Sequence, residues 1–236
     1  MLHVVKNMIL GFEQLLYPEF CPACGKESPP MGAKICYYCE AVLAYTDHHK
    51  VRENGFYKRL CGRLPFEAAG ALLYFSKGNR TQNIIHAIKY RDKKKLAVEM
   101  GRVHGSLLAK SPHFRGLDMI LPVPLHYKKK RIRGYNQSAK YAKGISKVLG
   151  IPYSDKILVR RHFTETQTRK TRSERFRNVD TVFDVKKPER LNGMHILVVD
   201  DVLTTGATLE ACGRAILTKA ENVRLSFATL AMAKRF

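Results

Sequence analysis

The chain has 236 residues, 45% hydrophobic and 26% charged, which is enough for one substantial core or for one core plus a small satellite module. Lys and Arg number 42 against 20 acidic residues, a formal charge of +22, so an anionic partner is expected: nucleic acid, a nucleotide or a phosphorylated sugar. Charge alone does not choose among these, and the absence of any run of about 18 apolar residues excludes a membrane-spanning helix.

Leu2, Val5, Ile9, Phe12 and Leu16 recur at helical spacing and predict an amphipathic helix docked on the protein's own body. Lys6, Asn7 and Glu13 interrupt the segment, which is too short and too polar for a signal peptide. Without an export signal, the six cysteines are expected to be reduced and the compartment to be the cytoplasm.

Cys21-Pro-Ala-Cys24 and Cys36-Tyr-Tyr-Cys39 are two C-x2-C pairs with eleven residues between them. Two residues between thiols let a tight turn aim both sulfurs at one point, and Gly25 stands where such a turn wants positive φ. Four thiolates from Cys21, Cys24, Cys36 and Cys39 match a closed, structural Zn²⁺ site, with no open position for catalysis. Disulfides fit the compartment less well, and a redox pair would sit at a strand end in a βαβ pattern, which neither pair does. Cys61 reads as a plain half-buried cysteine and Cys212 as core filler. Tyr45 to Leu64 reads as linker and module tail. The division that follows is a helix and zinc-ribbon module over residues 1–64 and a larger domain over 65–236.

Strands are predicted at Ala69–Phe75, Asp118–Pro124, Lys156–Arg160, Val182–Phe183, His195–Val199 and Val223–Met232, and helices at Gln82–Lys89, Lys94–Lys110, Gln137–Leu149 and Gly206–Thr218. This alternation predicts an α/β fold with a mostly parallel sheet covered on both faces.

The most informative stretch is Ile196-Leu-Val-Val-Asp-Asp-Val-Leu-Thr-Thr-Gly-Ala-Thr208. A strand buried on both faces runs into Asp200 and Asp201 where it leaves the sheet, the edge at which ligands bind in open α/β sheets. Burying two adjacent carboxylates unpaired costs about several kcal/mol, so they want hydroxyls, a cation or both. Thr204, Thr205, Gly206, Ala207 and Thr208 then open a helix, and their backbone N–H groups and hydroxyls can converge on one phosphate. No Walker loop and no dinucleotide fingerprint occurs.

Val198 to Thr208 resembles the phosphoribosyl pyrophosphate (PRPP) motif of type I phosphoribosyltransferases. Together with the cysteine pairs, Pro122-Val-Pro124, Arg133-Gly-Tyr-Asn-Gln137, Gln167 and Arg175 to Val179, it is similar to the ComF family, which is linked to uptake of single-stranded DNA during natural transformation. The resemblance implies a fold of the type I phosphoribosyltransferase kind and PRPP bound with Mg²⁺. It places Asp200 and Asp201 on the ribose hydroxyls, Thr204 to Thr208 on the 5′-phosphate, and Pro122, Val123 and Pro124 near the pyrophosphate. Arg133 and Arg169 join the acid pair as candidate catalytic residues. It also implies single-stranded DNA and a competence helicase or DNA-processing proteins as partners. The reading requires that the two carboxylates not be consumed by arginines of the chain itself.

Two basic stretches allow two readings each. Lys128-Lys-Lys-Arg-Ile-Arg133 is a solvated charge run or part of a ligand loop. Lys156 to Arg177 holds eight Lys or Arg and two Glu. It is either a hood closing over pyrophosphate or a track for a nucleic-acid backbone, with Tyr127, Tyr135 and Phe163 as stacking platforms. No group of residues reads an acceptor base. Pentosyl transfer and a non-catalytic scaffold that binds single-stranded DNA therefore both stand. The histidines show no ligand spacing, and none is assigned a role.

Overall fold

The structure, a computed structural model, describes residues 19–161 and 182–234. The apolar runs form a four-stranded, all-parallel sheet in the order β1-β6-β5-β2: β1 Ala68–Phe75, β6 Arg224–Ala233, β5 His195–Leu203 and β2 Met119–Pro122. β3 (Leu158–Arg160) and β4 (Phe183–Val185) form a separate antiparallel pair. The period-two alternation of β5 sends Leu197 and Val199 to one face and Ile196 and Val198 to the other, and each face carries its own core. The first core is closed by α3 (Arg80–Tyr90), α4 (Lys94–Ala109) and α6 (Gln137–Leu149). The second is closed by α2 (Gly55–Leu60) and α7 (Ala207–Lys219). Among the described residues, no helix is long and apolar enough to cross a membrane.

The edges of the sheet are covered. Ala44 and Thr46 hydrogen-bond along β1, and Pro152 and Ser154 along β2, so neither edge presents a bare ladder. α4 and α6 approach closely because Gly101 faces Gly144: a Cβ on Gly101 would meet the Gly144 Cα at 2.9 Å and clash with the Tyr141 carbonyl oxygen.

Three expectations need correction. Tyr45 to Leu64 is no linker: it carries a 3₁₀ turn at His48–Lys50 and then α2, whose Phe56 and Leu60 are fully buried against the sheet. The Asn54 side chain caps α2 through the Phe56 and Tyr57 amides and donates to the His48, Val51 and Ala69 carbonyls, which fixes the segment. Cys61, expected to be half-buried, is exposed, because it follows the last residue of α2 and turns away from the core. β5 does not end at Val199 but continues through the acid pair to Leu203, still paired with β6; it is β2 that stops, at Pro122 opposite Val199. The expected N-terminal helix lies outside the described residues.

Candidate sugar-phosphate site and four-cysteine centre

β5 outruns its neighbour β2 by four residues, and Asp200 and Asp201 sit in that overhang at the carboxyl end of the sheet. Both are half-buried. Asp200 Oδ1 accepts from Ser138 Oγ at 2.9 Å and from the Asp201 N–H at 2.8 Å. Asp201 Oδ2 accepts from Gln137 Nε2 at 2.7 Å and pairs with Lys89 Nζ at 3.0 Å. Burial, followed by the neighbouring Asp201 charge, pushes the Asp200 carboxyl up to about 7, against the pull of its hydrogen bonds and of Lys89. Among the described residues, no arginine neutralises either acid. The remaining oxygens, Asp200 Oδ2 and Asp201 Oδ1, accept no hydrogen bond from them. Gln137 Oε1 is buried beside the pair without a partner. The two carboxylate oxygens are the acceptors left for hydroxyls or for a hydrated hard cation, while Gln137 Oε1 is shut away from solvent.

Lys89, Gln137 and Ser138 bind the acids from two helices. α6 starts at Gln137 because Asn136 caps it, accepting from the Ser138 amide while its Nδ2 donates to the Val123 carbonyl. Lys89 comes from the last turn of α3, which Tyr135 holds by donating its hydroxyl to the Ile88 carbonyl. Sequence reasoning missed Lys89, a single lysine on a helix otherwise read for its isoleucines, and Ser138, one residue past the quoted motif.

Beyond Leu203 the chain turns through Thr204 and Thr205 to Gly206, the N-cap of α7, in left-handed backbone at φ +88°. A Cβ there would also stand 2.6 Å from Leu60 Cδ2, so both conformation and space demand glycine. Thr204, Thr205, Ala207 and Thr208 are exposed. Among the described residues, the Thr205 and Gly206 amides donate to no acceptor, as an anion cradle at a helix N-terminus requires.

The other expected residues are distributed as follows. Pro122 is the last residue of β2, buried in the sheet; Val123 is buried, its amide on the Val199 carbonyl at 2.8 Å; Pro124 is half-buried where the loop begins. Arg133 ends α5 (Tyr127–Arg133), with its guanidinium 5.3 Å from the Tyr90 ring centre. Arg169, Gln167, Phe163 and Arg175 to Val179 lie outside the described residues, as does most of the second basic stretch. Tyr135 does not serve as a stacking platform: it is buried, and its hydroxyl is committed to α3. Tyr127 is exposed. The buried histidines hydrogen-bond within the core, His104 with the Tyr141 hydroxyl and His195 with Ser226.

Cys21, Cys24, Cys36 and Cys39 converge, their sulfurs all within 4.8 Å of one another and those of Cys24 and Cys36 4.0 Å apart. Tetrahedral Zn–S bonds of about 2.3 Å require sulfurs about 3.8 Å apart, so the group fits a metal ion of the zinc kind. Gly25 takes φ +71° and donates its N–H to the Cys21 carbonyl, closing the first knuckle. The Glu27 and Lys26 amides bring the Cys24 thiol down to about 6, while burial pushes the Cys36 and Cys39 thiols up. The group packs on α3, where Asn83 Nδ2 donates to the Ala23 carbonyl and the Arg80 guanidinium lies over the Tyr38 ring. Arg80 also interacts with Cys39, a cation placed to offset thiolate charge.

Residues 136–235 match the family model described as the phosphoribosyl transferase domain, which takes in α6, the acid pair, the cradle and both central strands. The parallel sheet and the matched domain give this chain an α/β fold of the phosphoribosyltransferase kind, accompanied by a four-cysteine group. The "DNA utilization protein YhgH" of Escherichia coli (strain K12) is 31% identical over 140 residues, 57% of this chain and 60% of that protein. "Competence protein ComFC" of Bacillus subtilis (strain 168) is 25% identical over 220 residues, 90% of this chain and 77% of that protein. "Competence protein F" of Haemophilus influenzae is 34% identical over 101 residues, 42% of this chain and 44% of that protein. The chain thus spans about three fifths of the length of the YhgH proteins it matches. The chain is thus similar to competence and DNA-utilization proteins, and the matched part of it is similar to a phosphoribosyl transferase domain.

Proposed function

We propose that this protein binds PRPP with Mg²⁺ at the acid pair and the threonine cradle, and that it serves single-stranded DNA uptake in the cytoplasm during natural transformation. One observation carries the ligand class: two carboxylates with spare oxygens at the end of β5 are followed, within six residues, by two amides without an acceptor at the start of α7, the two kinds of group that hold a ribose by its hydroxyls and by its 5′-phosphate. The process is supported by relatives named for competence and DNA utilization. Mg²⁺ supplies charge neutralisation at the pyrophosphate. The chain's own part is to orient the ribose through Asp200 and Asp201, and to hold the 5′-phosphate on Thr204 to Thr208. Pentosyl transfer to an acceptor then needs the leaving group neutralised and the sugar positioned, with Arg133 and Arg169 as the candidate cations. The four cysteines hold a structural zinc ion.

The test is calorimetry of the full chain with PRPP and Mg²⁺, followed by pyrophosphate-release assays across nucleobases. The expectation is a one-to-one complex that Asp200→Asn with Asp201→Asn abolishes. An intact chain that gives no heat with PRPP overturns the reading.

A second reading, a scaffold for single-stranded DNA or DNA-handling partners, is favoured by α5. It presents Lys128 to Ile132 to solvent, with Ile132 82% exposed, on a chain of charge +22. DNA binding that weakens steeply with salt and survives the double Asn substitution supports it.

A further inference from the structure

We infer that Arg59 and Arg63 are positioning residues for the phosphate cradle: from α2 and the turn after it, they hold its carbonyls from beneath so that its amides face the ligand. This rests on the sugar-phosphate reading above and adds a part to that site which lies outside the family-model match.

Arg59 Nη1 donates to the Thr204 carbonyl at 2.9 Å and to the Ala233 carbonyl at 3.0 Å, tying the cradle to the end of β6. Arg63 Nη1 donates to the Thr205 carbonyl at 2.8 Å and pairs with Glu210 of α7 at 3.5 Å. Glu210 is itself paired with Arg214 at 3.0 Å, and Arg214 donates back to the Arg63 carbonyl. Arg63 is therefore gripped by the helix that the cradle opens.

Peptide geometry converts these contacts into ligand geometry. In a planar trans peptide the N–H points opposite to the preceding C=O, and no described peptide bond is cis. A Thr204 carbonyl pulled down onto Arg59 turns the Thr205 N–H up. A Thr205 carbonyl pulled down onto Arg63 turns the Gly206 N–H up. Neither of these amides donates to an acceptor among the described residues. Leu60, on the same short helix, presses against Gly206 and leaves no room for a Cβ. Without the clamp, two consecutive peptides at a glycine are free to rotate, and the ligand has to order them at its own cost.

Two blander roles are separable from this one. If the arginines act only through charge, lysine restores them, because it keeps the cation but loses the planar fork. If they act only by stabilising the fold, every ligand suffers equally. The experiment is calorimetry of the full chain and its Arg59→Gln, Arg59→Lys, Arg63→Gln and Arg63→Lys variants with ribose 5-phosphate and, separately, with Mg-pyrophosphate. The expected result is ribose 5-phosphate affinity reduced about 10-fold or more by either Gln change, little recovered by Lys, with pyrophosphate affinity within about twofold of wild type. Unchanged ribose 5-phosphate affinity, equal loss for both ligands, or full rescue by Lys overturns the inference. A wild-type chain that ignores ribose 5-phosphate refutes the sugar-phosphate reading instead. Amide relaxation in the ligand-free protein then decides the clamp: greater motion of Thr205 and Gly206 in the Gln variants supports it, and wild-type order in those variants sinks it.

Discussion

Asp200→Asn should make the ligand-free protein more stable while weakening the sugar-phosphate binding proposed above. Asp200 is half-buried beside a second carboxylate, and its carboxyl is pushed from an ordinary 3.8 up to about 7. A tenfold change in proton affinity corresponds to about 1.4 kcal/mol, so this rise sets a ceiling near ~4 kcal/mol; sharing of charge with Asp201 and Lys89 lowers the expected gain to about 2–4 kcal/mol. The sign follows from which form is penalised. An acid whose folded pKa is raised costs nothing below its unfolded value near 4, costs progressively more as pH rises, and costs the full amount above about 7. Asparagine removes that cost and keeps an oxygen to accept from Ser138 Oγ and the Asp201 amide, the two contacts Asp200 makes. Thermal unfolding of wild type and variant at pH 4.5 and pH 8 tests this, with the variant melting about 5–10 °C higher at pH 8 and the difference reduced to about a quarter at pH 4.5. A variant no more stable than wild type at pH 8, or equally favoured at both pH values, refutes the argument that ionised Asp200 is held at a cost.

Three further outcomes follow from the packing and the cysteine group. Gly101→Ala drives a methyl into the α6 backbone at Tyr141 and Gly144 and should lower stability by about 3 kcal/mol, read from the urea midpoint at constant slope. Burial lowers His104 to about 3, so stability is complete above its ordinary 6.5 and falls with acid; by pH 5 the loss is about 2 kcal/mol, and it should be missing from His104→Gln in denaturation curves at pH 7 and pH 5. Cys24→Ser should remove the metal found by elemental analysis of the purified chain and destabilise the segment on α3 by about several kcal/mol; a metal-free wild type with full stability counts against the structural zinc.

What is legible in the sequence is what neighbours along the chain decide. The run from Ile196 to Thr208 joins an apolar strand, two acids and a small-residue turn with nothing between them, so the acid pair and the cradle are visible as a unit. α6 is legible to the residue because Asn136 caps it and Gly150 ends it at φ +71°. The cysteine group is legible for the same reason, since each knuckle is a local turn and only two have to meet. β5 reads too short because two carboxylates look like the end of a strand; Val202 and Leu203 carry the pairing on, and β6 supplies partners that the sequence of β5 does not announce.

What is not legible is what the sheet assembles from a distance. Lys89 meets Asp201 across the first core, and nothing in Ile84 to Tyr90 distinguishes that lysine from a solvated one. α2 is hidden because Lys58 and Arg59 dilute the apolar content of a six-residue helix. Yet Asn54 ahead of Phe56 and Leu60, spaced four apart, is a capped half-buried turn, and that signal is present. One of the basic residues that disguise the helix, Arg59, grips the Thr204 carbonyl, and Arg63, just past its end, grips that of Thr205. A charge surplus read only as a surface for anions is thus, in part, internal carpentry: Arg59 and Arg63 are committed to carbonyl oxygens of the chain itself. A mutational survey that scores every basic residue as a phosphate contact will therefore misplace Arg59 and Arg63, because their loss changes the direction of N–H groups rather than the charge alone.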